Sequence, residues 1–368
     1  MNQTVPPNPF TPSFGRVPPI LVGRDILLGE MTRAFNSNGS DPNLCTILIG
    51  TRGSGKTALL TYLAQAAQAQ GWVSARVSAI PGMLEDIMER SLDAASNFVE
   101  QPDKIRLKSL SIGQFFGAEW EYRDPGSGNW RTRMSRLLEK LNDADIGLLI
   151  TVDEVIGNLD EMKQLAATFQ HFVSENRKVA LLMAGLPANV SSLLDDKSVS
   201  FLLRASQRTL GRLNDEDVRY ALAKTAEENE RTFDEDALNA AVQGIEGFPY
   251  LMQLVGFFAW NASPTSRRIN MQDAAEGVER ASEEFFSGVL KRTYAKLSEQ
   301  DKAFLHAMTR SQTSNTIADI AKHMGKSESY ARIYRKRLVE QGLINVPGRN
   351  TVEFALPLMK SFLERVND

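Results

Sequence analysis

The chain has 368 residues, a formal net charge of −3, 42% hydrophobic and 24% charged residues, and one cysteine. That length is too great for one ordinary core and suits two or three domains, and the composition excludes a disordered chain. A single cysteine excludes a disulfide framework, and no apolar run approaches the roughly 20 residues of a membrane span.

The first residues, "MNQTVPPNPFTPSFGRVPP", lack a charged segment followed by an apolar core, so no secretory signal is expected and a cytoplasmic setting is. Their prolines predict a flexible arm over residues 1–19. A helix follows over Ile26–Phe35, then a buried strand in "LCTILIG" that carries Cys45 as a core thiol. Thr57–Ala67 reads as a helix, "WVSARVSAI" as a second strand and Met83–Phe98 as a second long helix. Residues 103–127 change character: β-type alternation and turn residues predict a β-hairpin insertion. Helical periodicity returns at Arg131–Leu141. "IGLLITVDE" is a third buried strand, Leu159–Asn176 a helix and "VALLMAG" a fourth strand.

Apolar strands alternating with helices predict a parallel sheet covered on both faces. Beyond Leu213 the strand signal stops. Asp215–Glu227, Glu235–Val242, Tyr250–Ala259 and Met271–Phe286 are all helical in pattern. From about Leu297 come three further helices and two short strands around the turn in "LINVPGRNTVEFAL". The expected division is an α/β domain over 20–212, a helical domain over 213–290 and a C-terminal module over 291–368. Residues 291–368 carry 14 Lys/Arg against 8 Asp/Glu, whereas the remainder carries 28 against 37. A basic module behind an acidic body fits a polyanion partner, an ordinary basic surface being the competing reading.

Between the first strand and its helix lies Gly50-Thr51-Arg52-Gly53-Ser54-Gly55-Lys56-Thr57, which fits G-x-x-x-x-G-K-[ST] in the required strand–loop–helix setting. Glycines let successive N–H groups curl around phosphate oxygens, and the helix N-terminus adds its positive end. Lys56 is placed to reach the β- and γ-phosphates of ATP or ADP, and the Thr57 hydroxyl to bind Mg²⁺. The third strand ends in Asp153-Glu154. Asp153 is the second expected metal ligand, and Glu154 the group that orients and deprotonates an attacking water. The alternative is that the two carboxylates cap the next helix.

These residues resemble the P-loop ATPases with an added catalytic glutamate, and among them the AAA+ and related STAND groups. "ILVGRDILLGEM" resembles the VGR box that cradles adenine in initiator-type AAA+ proteins, with Val22, Gly23 and Arg24 carrying the match. "GFPYLMQ" resembles the G-x-P motif of STAND and archaeal-type ATPases, which places Gly247 and Pro249 near the base. The resemblance implies an AAA+-like P-loop fold with an all-helical lid over 213–290. Two departures stand out. The fourth strand ends in Gly185, Leu186 and Pro187 where a polar sensor is usual, with Asn189 the nearest substitute, and the lid segment has no sensor arginine. Of Arg204, Arg208 and Arg212, Arg204 best matches an arginine finger, which would serve a neighbouring subunit.

The segment from Thr316 to Pro357 resembles a winged helix. Ile317, Ile320 and Ala321 form one apolar face, Gly325 the turn, and Ser327 a helix cap. Ala331, Tyr334 and Leu338 should face inward. Ser329, Arg332, Arg335 and Lys336 should face outward as in a recognition helix entering a DNA major groove, with Arg349 on the wing tip. The whole order resembles the Orc/Cdc6-like AAA+ ATPases. That resemblance implies a slow, Mg-dependent ATPase whose nucleotide state controls binding to double-stranded DNA, with homo-oligomers or protein partners also open and no membrane partner. A STAND-like signalling switch that binds proteins, or a helper ATPase of a mobile element, is the alternative. His171, His306 and His323 share no metal-ligand spacing with Cys45.

Overall fold

The computed structural model describes residues 7–13, 15–99, 129–310, 315–348 and 350–366. The expected hairpin at 103–127 and the expected wing-tip Arg349 lie outside the described residues.

Five parallel strands, β1 (Cys45–Ile49), β2 (Trp72–Ser78), β3 (Gly147–Asp153), β4 (Val179–Gly185) and β5 (Ser206–Thr209), form one sheet in the order β2-β3-β4-β1-β5. β4 is buried at every position, which is why its sequence is apolar without alternation. β5 lies at the edge, is polar and alternates in burial. Its four-residue pattern is too short to stand out in the sequence.

Helices cover both faces. α1 (Asp25–Phe35) and α2 (Lys56–Ala69) pack through Met31, Phe35, Leu59 and Leu63 on Leu48, Leu149 and Leu182. On the other face, α3 (Met83–Val99), α4 (Trp130–Asp143) and α5 (Asp160–Ser174) pack through Ile87, Met134, Leu137 and Phe169 on Ile47, Ile150 and Met183. After β4 come a short helix, α6 (Pro187–Leu194), and a 3₁₀ segment (Lys197–Arg204) that the periodicity does not announce. Cys45 is half-buried rather than a full core residue, and burial pushes its thiol up to about 12.

The helical region comprises α7 (Asp215–Glu227), α8 (Glu235–Ile245), α9 (Pro249–Ala262) and α10 (Met271–Phe285), with a two-residue pairing of β6 (Thr232–Phe233) and β7 (Arg268–Ile269). α10 passes through a π-helical turn (Phe286–Leu290) directly into α11 (Lys291–Tyr294). The expected boundary near residue 290 therefore falls inside a continuous helical rod. One hydrophobic core runs on from Val218 and Leu251 through Phe285 and Leu290 to Phe304, Leu338 and Leu363.

The C-terminal module contains α12 (Glu299–Thr309), α13 (Ile317–Met324), α14 (Glu328–Glu340), an antiparallel pair of β8 (Ile344–Asn345) and β9 (Glu353–Phe354), and α15 (Met359–Val366). Local chemistry sets its helix ends. The Ser327 hydroxyl accepts the Tyr330 N–H, and Gly325 ends α13 at φ +63°. Among the described residues no helix is long and apolar enough to cross a membrane.

The expectation of a loose N-terminal arm is corrected for residues 8–11. Phe10 is buried against Trp260, with ring centroids 6.2 Å apart. Asn8 Nδ2 donates to the Phe257 carbonyl at 2.9 Å, and the Thr11 N–H donates to Gln253 Oε1 at 2.9 Å. The space comes from Gly256, where any Cβ would lie 2.4 Å from the Phe10 ring. Burying this aromatic side chain works against the entropy lost in ordering the proline-rich segment.

Candidate nucleotide site and the surfaces that meet it

β1 delivers the glycine loop to the C-terminal edge of the sheet, and α2 begins at Lys56 immediately after it. Gly53 and Gly55 have φ of +81° and +89°, a region that other residues reach only with strain. Lys56 Nζ donates to the Gly50 and Thr51 carbonyls, both at 2.8 Å. Burial, with a smaller contribution from Arg52, holds Lys56 down to about 8 against the opposing pull of Asp153 and Glu154. Ser54 Oγ is buried with no hydrogen-bond partner among the described residues.

β3 brings Asp153 to the same edge. Thr57 Oγ1 donates to Asp153 Oδ2 at 2.5 Å, joining residues 96 positions apart. A threonine hydroxyl and a carboxylate side by side are the hard oxygen donors that Mg²⁺ takes while keeping several waters. They fit that ion. The Glu154 N–H donates to Asp153 Oδ1 at 2.8 Å, and Glu154 itself sits at φ +55°, exposed. The next N–H, of Val155, is tied to the Ala184 carbonyl at 2.9 Å. The chain thus turns sharply from β3 onto β4, and the turn throws the Glu154 side chain outward rather than into the following helix. The helix-cap alternative fails, because α5 starts at Asp160 and Glu154 makes no cap to it.

The other resemblance-derived residues collect on one seam. Pro249, the first residue of α9, packs on Gly55, 3.7 Å from where a Cβ would be. The Tyr250 N–H donates to the Gly53 carbonyl at 3.2 Å. A Cβ on Gly53 would lie 2.7 Å from Phe248, and one on Gly247 would lie 2.2 Å from the Leu213 carbonyl. The G-x-P segment therefore seats the lid on the phosphate loop itself. Val22 is buried, Gly23 packs on Leu213 and Asp217, and Arg24 donates to the Gly211 carbonyl at 2.8 Å. Burial lowers the Arg24 pKa and Asp217 opposes it.

The three candidate finger arginines separate cleanly. Arg208 pairs with Glu30 at 2.6 Å, and Arg212 bridges Glu246 of the lid to the Phe354 carbonyl of the C-terminal module. Both are internal ties. Arg204 is exposed at the end of the 3₁₀ segment and makes no ion pair among the described residues. Asn189 lies within α6, and Leu186 is the single residue between β4 and that helix.

On α14, Ala331 and Leu338 are buried and Tyr334 is half-buried, while Ser329, Arg332 and Lys336 are exposed. Arg335 is half-exposed and unpaired among the described residues, whereas Arg332 pairs with Glu328 at 3.1 Å and Lys336 with Glu340 at 3.8 Å. Arg337, not singled out by the sequence pattern, reaches back to the fully buried Asp301 at 2.9 Å. Ile333 is also exposed on this helix.

The sequence gives no sign that the C-terminal module touches the glycine loop. Gly342 ends α14 at φ +70°, and the Leu343 N–H returns to the Leu338 carbonyl at 2.9 Å. A Cβ on Gly342 would lie 3.2 Å from Pro187 and 3.3 Å from Thr51 Cγ2. No metal-binding group of three or more His, Cys, Asp or Glu occurs among the described residues.

Solved structures share this arrangement at low identity. A Walker-type ATPase of Pyrococcus abyssi matches with a TM-score of 0.67 at 15% identity, over 94% of this chain and 96% of that one. The ORC2 protein of Aeropyrum pernix, solved as ADPNP–ADP complexes, matches at 0.63 and 13% identity over 96% of each chain. Cdc6p of Pyrobaculum aerophilum matches at 0.51 and 17%, over 97% of this chain and 96% of that one. The fold is thus the Orc/Cdc6-like AAA+ P-loop ATPase fold. Residues 287–363 match the family described as Domain of unknown function (DUF8462). No curated protein matches the sequence.

Proposed function

We propose that the chain is a Mg-dependent ATPase of slow turnover whose nucleotide state controls DNA binding by the C-terminal module, which we read as a winged helix. The observation that carries the nucleotide half is the Thr57–Asp153 pair at 2.5 Å, set beside Lys56 on a glycine cradle. Thr57 and Asp153 would hold Mg²⁺, which when bound neutralises charge on the phosphates. Lys56 draws the β- and γ-phosphates onto the loop. Glu154, projecting from its strained turn, orients a water and accepts its proton. Val22, Gly23, Arg24, Gly247 and Pro249 close the lid seam over the nucleotide, and Arg204 is offered to a neighbouring subunit.

The seating of the C-terminal module on Thr51 supports the control half, because a change at the loop reaches the module without an intermediary. Ser329, Arg332, Arg335 and Lys336 supply the DNA face. Retention of double-stranded DNA with and without ATP, at low and raised salt, tests this reading. It predicts ATP-dependent retention that falls steeply with salt. No ATP-dependent retention at low salt refutes it.

A second reading is favoured by exposed Ile333 and by the carboxylates that already neutralise Arg332 and Lys336. A mixed apolar and charged face also suits a protein partner, as in a STAND-like switch. ATP-dependent capture of a defined protein with no DNA retention would establish it.

A further inference from the structure

The loop and the C-terminal module border an open cavity of about 220 Å³. Thr51 and Arg52 of the loop line it. Arg292 and Lys296, from α11 and the turn after it, also line it, with Gly342 just past the end of α14 and the apolar Leu297 and Leu343. Three cations line this space and no carboxylate does. None of the three is in an ion pair among the described residues, although most exposed cations on α14 are. Like charges gathered across a seam repel one another, so the closed arrangement gains from an anion between them.

Size and neighbourhood narrow the ligand. The cavity is smaller than the roughly 300 Å³ at which pockets for drug-sized ligands begin, and so suits a single small group. Arg52 acts electrostatically on Lys56, which ties the cavity to the phosphate-binding end of the loop. Leu186, the residue that follows β4, also lines it.

We propose that this cavity is a phosphate-binding site in which Arg292 and Lys296 of the C-terminal module close on the ligand together with Arg52. Guanidinium and ammonium donors from the loop and the module match a phosphate's oxygens and tie the module to the loop when it is bound. Two sources supply this chemistry: the terminal phosphate of a nucleotide on the loop, or free phosphate. The first rests on the nucleotide reading above; the second does not.

The test uses calorimetric titration of the full chain and of an Arg292→Ala/Lys296→Ala variant with ADP, with ADPNP, and with inorganic phosphate in saturating ADP. Both side chains are exposed, and an unchanged melting temperature of the variant confirms its fold. If the terminal phosphate is the ligand, the variant loses about tenfold or more in ADPNP affinity while ADP binding stays within roughly twofold. If free phosphate is the ligand, wild type binds it saturably and the variant does not. Equal binding of ADPNP and phosphate by both proteins, with ADP binding intact, overturns the proposal alone. Failure of wild type to bind ADP refutes the nucleotide reading instead. Phosphate titrated without nucleotide then decides the cavity, by saturable binding that the variant loses or by none.

Discussion

Gly342 and Thr51 meet across the seam between the C-terminal module and the phosphate loop, with 3.3 Å between the position of a Gly342 Cβ and Thr51 Cγ2. The glycine serves two ends at once. Its left-handed conformation closes α14, and its missing side chain lets the module approach the loop. Asparagine tolerates that conformation, but its Cβ would press on Pro187 and Thr51 at 3.2–3.3 Å, so the seam would have to give by a few tenths of an ångström. A Gly342→Asn variant is therefore expected to keep its melting temperature within a few degrees and to lose most of the ATP dependence of DNA retention. A variant that responds to ATP like wild type would show that this contact does not couple the two parts.

Lys56 gives a pH signature. Phosphate binding needs the ammonium, and the folded protein holds this lysine down to about 8 by burial. Its charge is full below that value and is lost as pH rises through it, whereas an unperturbed lysine keeps its charge to about 10.4. Nucleotide affinity should therefore be flat to about pH 7.5 and fall by up to tenfold per unit above 8, in calorimetric titrations across that range. Lys56→Ala should abolish both the tight binding and the pH dependence, by a hundredfold or more in affinity on the scale of about 3 kcal/mol for a buried charged contact.

Glu154 and Thr57 should separate chemistry from metal use. Glu154→Gln keeps the turn's shape and its N–H to Asp153 but removes the proton acceptor, so ATP should still bind while phosphate release falls by about 10²- to 10⁴-fold. Thr57→Val removes a hydroxyl on the Asp153 side and should weaken ATP binding only when Mg²⁺ is present. Retained turnover in the glutamine variant would remove Glu154 from the chemistry.

On α14 the cations are not equal. Arg332 and Lys336 already have carboxylate neighbours, whereas Arg335 is unpaired among the described residues. Arg335→Ala should weaken DNA retention more than either neighbour's substitution and lower the slope of log affinity against log salt by about 1. Arg332→Ala/Arg335→Ala with unchanged DNA affinity would move the interface off this helix.

The strand–loop–helix of the candidate phosphate site was legible as a conformation because each constraint is local. Glycines at 53 and 55 meet positive φ, an apolar run meets two covered faces, and Lys56 follows the loop directly. Asp153 was legible as the polar end of a buried strand. The pairing of Thr57 with Asp153 needed only the sheet to bring two strand ends to one edge. The helix caps Ser327 and Gly325 were equally readable, since each acts within a few residues.

Tertiary structure decided the rest, because those contacts join residues whose spacing carries no period. Phe10 fills a hole left by Gly256, which nothing near either residue announces. Arg208 and Arg212 stand in the sequence as candidate fingers and Arg337 carries no signal there, yet each is committed to a distant partner. The meeting of Gly342 with Thr51, across some 290 positions, follows only from the continuous helical rod that carries the module back over the loop. The sequence by itself determined where the glycine loop would form between strand and helix and that Lys56 would follow it directly. The folded chain alone determined that the C-terminal module sits on that loop, because packing of one shared core, not local propensity, sets the module's place.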